Sequence, residues 1–146
     1  MAQTGADLKG AIAETKGPGA NKPAGNGRRI KQGRYPLSTQ DGENYKTWNY
    51  VMSDDPDVAP KPGLELNKTD QRSEILIHPG AGFLRSVGCI NPCTSLPKAS
   101  EDISFIGSRR RTIAIIEDLK AYLGTDFPAT NGKPIPRALV VIDGEP

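Results

Sequence analysis

The chain has 146 residues, which is enough for one domain around a single hydrophobic core. Its 19 basic and 17 acidic residues give a formal net charge of +2. A nucleic-acid partner calls for a clear cationic excess, so we expect none. The sequence has no run of roughly 18 apolar residues, as a membrane span needs, and no signal-peptide core. We therefore expect no membrane span, and synthesis in the cytoplasm without a Sec signal.

Residues 1–27 are predicted to form a flexible N-terminal tail. The part from Lys16 to Gly27 is rich in Gly and Pro and has almost nothing to bury. Such a composition does not offset the entropy that ordering costs. Only residues 7–14 have a pattern that is compatible with a helix. Where the tail is ordered, we expect a partner to hold it.

Residues 28–146 are predicted to form the folded domain. The 16 Gly and 13 Pro of the chain favour short strands that are joined by many turns. Strands are predicted at residues 29–37, 45–52, 74–78 and 138–142, and a loop at residues 54–63. The domain is therefore expected to be mainly β.

One helix is predicted over residues 110–123. Apolar residues such as Ile116 and Leu123 recur at helical spacing and form one stripe. Ser108 is the expected N-cap, and Gly124 is the expected C-terminal stop. The predicted fold class is thus mainly β with one packed helix.

His78 and Cys89 are the candidate catalytic residues. His78 is the single histidine of the chain, and it ends the apolar strand predicted at residues 74–78. A thiol attacks a carbonyl as the thiolate, so it needs a neighbouring base or positive charge. His78, across a loop from Cys89, is predicted to be that base. Gly88 permits a tight turn that brings backbone amides close to a substrate carbonyl, where they form an oxyanion hole.

Two structural explanations for the same residues stay open at this point. A lone Cys and a lone His are common, and both are also explained as ordinary buried residues of a core. A metal site would combine Cys89, Cys93 and His78 with an acid such as Asp102. Structural zinc sites usually have two close ligand pairs, and this sequence has only one, so no metal or other cofactor is expected.

The flanking residues resemble a known signature. Residues 77–80 (Ile-His-Pro-Gly) and 86–91 (Ser-Val-Gly-Cys-Ile-Asn) are similar to the catalytic motif of the L,D-transpeptidase superfamily. Residues 33–37 (Gly-Arg-Tyr-Pro-Leu) resemble the first strand of that domain. The small stand-alone members found in phages and secretion effectors have the most similar motifs. The resemblance implies an L,D-transpeptidase-like β-sandwich or barrel with one packed α-helix over residues 28–146.

The resemblance also implies roles for individual residues. Cys89 is the nucleophile and His78 the base, while the backbone carbonyl of Pro79 orients the imidazole and the Gly88 amide binds the oxyanion. In the family, the Cys attacks the amide after meso-diaminopimelate in a peptidoglycan stem peptide and expels D-alanine. The thioester then passes to an amine, which makes a cross-link, or to water. The family usually has a His where this chain has Val87, which favours a hydrolytic version.

Four further residues are predicted to bind substrate, namely Tyr35, Arg85, Ser86 and Asn91. A guanidinium fork recognises carboxylates, so Arg85, and as a second candidate Arg72, suits the carboxylate of a stem peptide. The aromatic residues Tyr45, Trp48 and Tyr50 are assigned to the core instead.

The predicted function is that of a cysteine-dependent enzyme of peptidoglycan stem peptides, a transpeptidase, carboxypeptidase or endopeptidase. Its expected setting is a phage particle or a secretion effector that acts in the periplasm after delivery. A particle protein, a secretion system or an immunity protein is the expected partner of the tail. Two alternatives are a phage tail or baseplate component that keeps the fold without turnover, and an amidase-type cysteine hydrolase.

Overall fold

The computed structural model describes residues 10–15, 17–80, 88–93 and 104–143. Within these residues lie eight strands, one α-helix and a short 3₁₀-helix. In chain order the elements are β1 (Ala11–Ala13), β2 (Gly33–Thr39), β3 (Tyr45–Lys46), β4 (Lys61–Pro62), β5 (Leu64–Leu66), β6 (Leu76–Ile77), β7 (Asn91–Cys93), α1 (Phe105–Leu123), the 3₁₀-helix (Gly124–Asp126) and β8 (Pro134–Ile142).

The largest sheet has four antiparallel strands in the order β6–β5–β2–β8. Side chains alternate along β2, so Tyr35 and Leu37 are buried while Arg34 is exposed. Leu37 pairs with Leu66 of β5, and Tyr35 pairs with Val140 of β8. These inward residues form one core with residues of α1. The predicted mainly β domain with one helix is confirmed, although the described strands do not close into a barrel.

The helix α1 packs its apolar stripe onto this core. Ile116 is fully buried, and Leu123 is 6% exposed. The predicted C-terminal stop is confirmed, because the Gly124 N–H donates to the carbonyl of Lys120 in the last turn. Among the described residues, no helix combines the length and the apolar character that crossing a bilayer requires.

The predicted start of the helix is wrong. The helix begins at Phe105, whose buried ring extends the apolar stripe toward the N-terminus. Ser104 is the N-cap, and its hydroxyl accepts a hydrogen bond from Gly107 N at 3.3 Å. Ser108 lies inside the helix, where its buried hydroxyl accepts a hydrogen bond from Gly80 N at 3.0 Å.

Two smaller sheets contain one parallel and one antiparallel pair. β3 and β4 are parallel, with Tyr45 opposite Lys61, in a region where the sequence predicts a long strand and then a loop. The predicted strand at residues 45–52 is wrong beyond Lys46, and Asn49 within it has a φ of 65°, which is outside the β region. Trp48 leaves the sheet and donates from its indole nitrogen to the carbonyl of Pro128 at 2.7 Å.

β1 belongs to the segment that the sequence predicts as a tail. Ala11–Ala13 pair antiparallel with Asn91–Cys93, and Ala13 is fully buried. The helix considered for residues 7–14 is therefore wrong at residues 11–13, because these residues extend along β7 and bury Ala13 there. The boundary of the folded domain at residue 28 stays a prediction.

Thr47 links the chain after β2 to the β4–β5 connection. Its side chain is fully buried, and its Oγ1 accepts from Gln40 N at 2.7 Å and donates to Gly63 O at 2.6 Å. Because Thr47→Val leaves both backbone groups without this partner, we expect the free energy of unfolding to fall by about 2 kcal/mol. Urea unfolding measures the change. The exposed Thr125→Val is the control, and equal stability of the two variants would contradict the prediction.

Candidate active site

The structure brings the segments of His78 and Cys89 side by side. Ile77 and Ile90 form a parallel bridge. His78 N donates to Ile90 O at 3.0 Å, and Ile90 N donates to Leu76 O at 2.8 Å. The end of β6 therefore lies against the start of β7. His78 and Cys89 lie on these two neighbouring, hydrogen-bonded segments of backbone.

The His78 imidazole is buried and held in one orientation. Its Nδ1 lies 2.8 Å from the carbonyl oxygen of Pro79, and its ring packs against that of Tyr45, with the centroids 4.2 Å apart. A carbonyl oxygen is only an acceptor, so Nδ1 carries the hydrogen and Nε2 is the basic nitrogen. This is the carbonyl contact that the sequence predicts for Pro79.

Burial lowers the pKa of His78 to about 4. The hydrogen bond to Pro79 opposes this change, and the positive charge of Lys61 adds to it. The imidazole is therefore neutral at pH 7, which is the form that a general base requires.

The Cys89 thiol is half-buried, and it contacts the backbone just before His78. Its Sγ accepts from Leu76 N at 3.4 Å and lies 3.7 Å from Glu74 O. Burial raises the pKa of the thiol, an effect that the Leu76 amide and the Arg72 guanidinium oppose and the Glu74 carboxylate reinforces. The thiol is therefore protonated at neutral pH and needs a base before it can attack.

Asn91 is the residue that contacts His78 across the paired segments. Its Nδ2 donates to His78 O at 2.8 Å and lies 3.4 Å from Nδ1 of the imidazole. The side chain is fully buried, and its Oδ1 has no hydrogen-bond partner among the described residues. This burial favours a positioning role for Asn91 over the substrate contact that the sequence predicts. Cys89 thus contacts Glu74 and Leu76, whereas His78 contacts Pro79 and Asn91.

Gly88 lies in a conformation that only glycine adopts readily, with a φ of 80°. A Cβ at this position would lie 2.0 Å from Nη2 of Arg72. Arg72 is 6% exposed, and its Nη1 donates to Arg28 O at 2.8 Å and to Ala20 O at 3.1 Å. This burial against backbone carbonyls favours a structural role for Arg72 over the substrate-binding role considered from the sequence.

Tyr35, Arg85 and Ser86 are the remaining residues that the sequence predicts to bind substrate. Tyr35 is 3% exposed and belongs to the hydrophobic core, with its hydroxyl bonded to Asn21 Nδ2 and Lys31 O, which favours a structural role over the predicted substrate contact. Arg85 and Ser86 lie outside the described residues, and so does Val87.

The structure places a cationic side chain beside His78 that the sequence analysis did not predict. A cavity of about 90 Å³ is lined by His78, Tyr45 and Lys61, among other residues. The Nζ of Lys61 lies 5.7 Å from the centroid of the Tyr45 ring. Lys61 falls in a Pro-rich segment without periodicity, so only the pairing of β3 with β4 reveals that it lines the same cavity as the imidazole.

No family model, curated protein or solved structure matches this chain. The resemblance to L,D-transpeptidases therefore depends on residues 33–37, 77–80 and 86–91 alone. Membership of that superfamily stays a prediction.

The metal site considered from the sequence would need ligands from several segments. Asp102 lies outside the described residues. Within the described ranges, no group of three or more His, Cys, Asp and Glu side chains could hold a metal ion.

Proposed function

We propose that the protein is a cysteine enzyme that acts on peptidoglycan stem peptides through a thioester on Cys89. The observation that carries this proposal is the parallel pairing of the β6 exit with the start of β7. It sets a neutral imidazole, already oriented by the Pro79 carbonyl, next to the segment that carries the half-buried thiol. The resemblance of the flanking residues supplies the substrate class.

The imidazole is neutral and can therefore accept the thiol proton, although its lowered pKa makes it a weak base for a thiol whose pKa is raised. The sulfur of Cys89 attacks the carbonyl carbon of the amide while Nε2 of His78 takes the thiol proton. The C–N bond then breaks, and the leaving amine receives that proton from the imidazolium. A thioester remains on Cys89. Water or a second amine attacks it, and the released sulfur regains a proton through His78.

This mechanism requires Sγ of Cys89 within hydrogen-bond reach of Nε2 of His78 during the attack. In the structure Sγ contacts the backbone of Glu74 and Leu76. The positive charge of Lys61 beside His78 suits the terminal carboxylate of a leaving D-alanine. That placement favours release of the terminal residue, as in a carboxypeptidase or a transpeptidase.

Incubation with purified muropeptides, followed by mass spectrometry, tests the proposal. We expect tetrapeptides to lose their terminal D-alanine or to form new cross-links. Cys89→Ala removes the nucleophile, so we expect turnover to fall about 10³-fold or more. Cys93→Ala is the matched control, since Cys93 is a buried thiol on β7 and is expected to leave turnover nearly unchanged. Unchanged muropeptides with a folded wild-type protein would contradict the proposal.

A second candidate function is that of a phage tail or baseplate component that keeps the fold without turnover. The observation that favours it is a hydrogen bond that occupies the predicted oxyanion-binding amide: Gly88 N donates to Thr15 Oγ1 at 2.7 Å. The same muropeptide assay separates the two candidates, because a structural component leaves the substrate unchanged. In either case a phage particle or a secretion system is the proposed setting.

A further inference from the structure

Residues 10–15, here named the N-terminal strap, lie along the segment that carries Cys89. Ala11–Ala13 of the strap pair antiparallel with Asn91–Cys93. Beyond this ladder, Thr15 Oγ1 accepts a hydrogen bond from Gly88 N at 2.7 Å. The strap therefore contacts the backbone on both sides of Cys89 and Ile90, at Gly88 and at Asn91–Cys93.

The strap fits this position closely. A Cβ on Gly10 would lie 2.5 Å from the carbonyl oxygen of Cys93, so the two backbones approach as only glycine allows. Ala13 is fully buried, while Ile12 is 53% exposed on the other face. The strap thus has a specific docked position on β7.

A proline interrupts the docked ladder. Among residues 10–15 and 88–93, three residue pairs are described, and the middle pair places Pro92 opposite Ile12. Proline has no N–H, so Pro92 donates no hydrogen bond to any neighbouring strand. A ladder that contains a proline in this way is suited to exchange with another extended chain.

The strap uses groups that a peptide substrate would also need. An oxyanion forming at Cys89 requires nearby backbone amides, and the Gly88 amide is already bonded to Thr15. An extended peptide beside β7 requires the edge that β1 occupies. We propose that Gly88 and β7 form a binding edge for an extended peptide, which the N-terminal strap occupies in cis. That this peptide is a stem-peptide substrate depends on the proposed function, whereas displacement of the strap does not.

Alkylation of Cys89 by iodoacetamide tests the proposal without requiring turnover. Thr15→Val removes the hydroxyl acceptor with little change of shape, and Thr15→Ser keeps it. We expect Thr15→Val to raise the alkylation rate of Cys89 about fivefold, the effect of losing one ordinary hydrogen bond. Thr15→Ser is expected to react at the wild-type rate. Peptide mapping by mass spectrometry distinguishes Cys89 from Cys93. Cys93 packs against Ala11 and Ala13 of the strap, so its labelling is also expected to rise in Thr15→Val. An unchanged far-UV circular dichroism spectrum shows that the rest of the fold is intact.

A capped synthetic peptide with the sequence of residues 10–15 provides the second readout. Added at millimolar concentration to the Thr15→Val protein, it is expected to slow alkylation of Cys89 toward the wild-type rate. An unchanged rate in Thr15→Val, or no protection by the peptide, would overturn the proposal. Faster alkylation with peptide protection supports it even where muropeptides stay unchanged, and in that case only the proposed function fails.

Discussion

Lowering the pH from 7 to 4 is expected to reduce the free energy of unfolding by about 3 kcal/mol through His78 alone. Burial lowers the pKa of this imidazole from its ordinary 6.5 to about 4 in the folded protein. Between these two values the unfolded chain binds a proton that the folded protein does not bind. Protonation therefore favours the unfolded state, and the stability falls as the pH falls.

Two measurements check this expectation. As the chain has one histidine, its imidazole Cε1–H resonance in an NMR titration needs no assignment, and we expect a midpoint near pH 4. Urea unfolding at pH 7 and pH 4 separates His78 from the carboxylates when wild type is compared with His78→Gln. Wild type should lose about 3 kcal/mol more than the variant. A midpoint at the ordinary value of 6.5 would contradict the buried, neutral imidazole.

The Lys61→Met variant tests how much the charge of Lys61 contributes to the lowered pKa of His78. The charge of Lys61 lowers the pKa of His78, so its removal should raise the titration midpoint. Lys46→Met is the control, because Lys46 pairs with Asp41 at 2.6 Å on the exposed surface. A midpoint that moves equally in both variants would show that Lys61 has no specific influence on the imidazole.

Gly88→Ala is expected to destabilise the protein by about 3 kcal/mol or more. The φ of 80° is unfavourable for any residue with a Cβ, and the new methyl group would lie 2.0 Å from Nη2 of Arg72. The buried guanidinium must then move and weaken its hydrogen bonds to the carbonyls of Ala20 and Arg28. Both effects act next to Cys89.

Gly25→Ala isolates the backbone contribution. Gly25 has a φ of 69°, but no atom of the part of the chain that the structure describes lies within 4 Å of a Cβ built on it. Its substitution should therefore cost only about 1–2 kcal/mol. The difference between the two variants, measured by urea unfolding, reports the displacement of Arg72. Equal losses at Gly88 and Gly25 would show that the guanidinium adapts without cost.

Local sequence patterns predicted the elements whose stability is decided within a few residues. The helical spacing of apolar residues predicted α1, and Gly124 predicted its end. The apolar run before Pro79 predicted that His78 leaves a buried strand, and β6 ends at Ile77. The start of α1 was less predictable, because Ser104 and Ser108 are both good caps and burial of Phe105 decided between them.

The amino-acid sequence by itself determined a mainly β domain, its helix, and the identity of the thiol and the imidazole as candidates. These depend on residue type and on periodicity along the chain. Only the tertiary structure decided the partners of these groups. Asn91 contacts His78, Lys61 lies beside it, and Thr15 holds the Gly88 amide. Such contacts depend on the register between segments distant in sequence, which local periodicity does not encode.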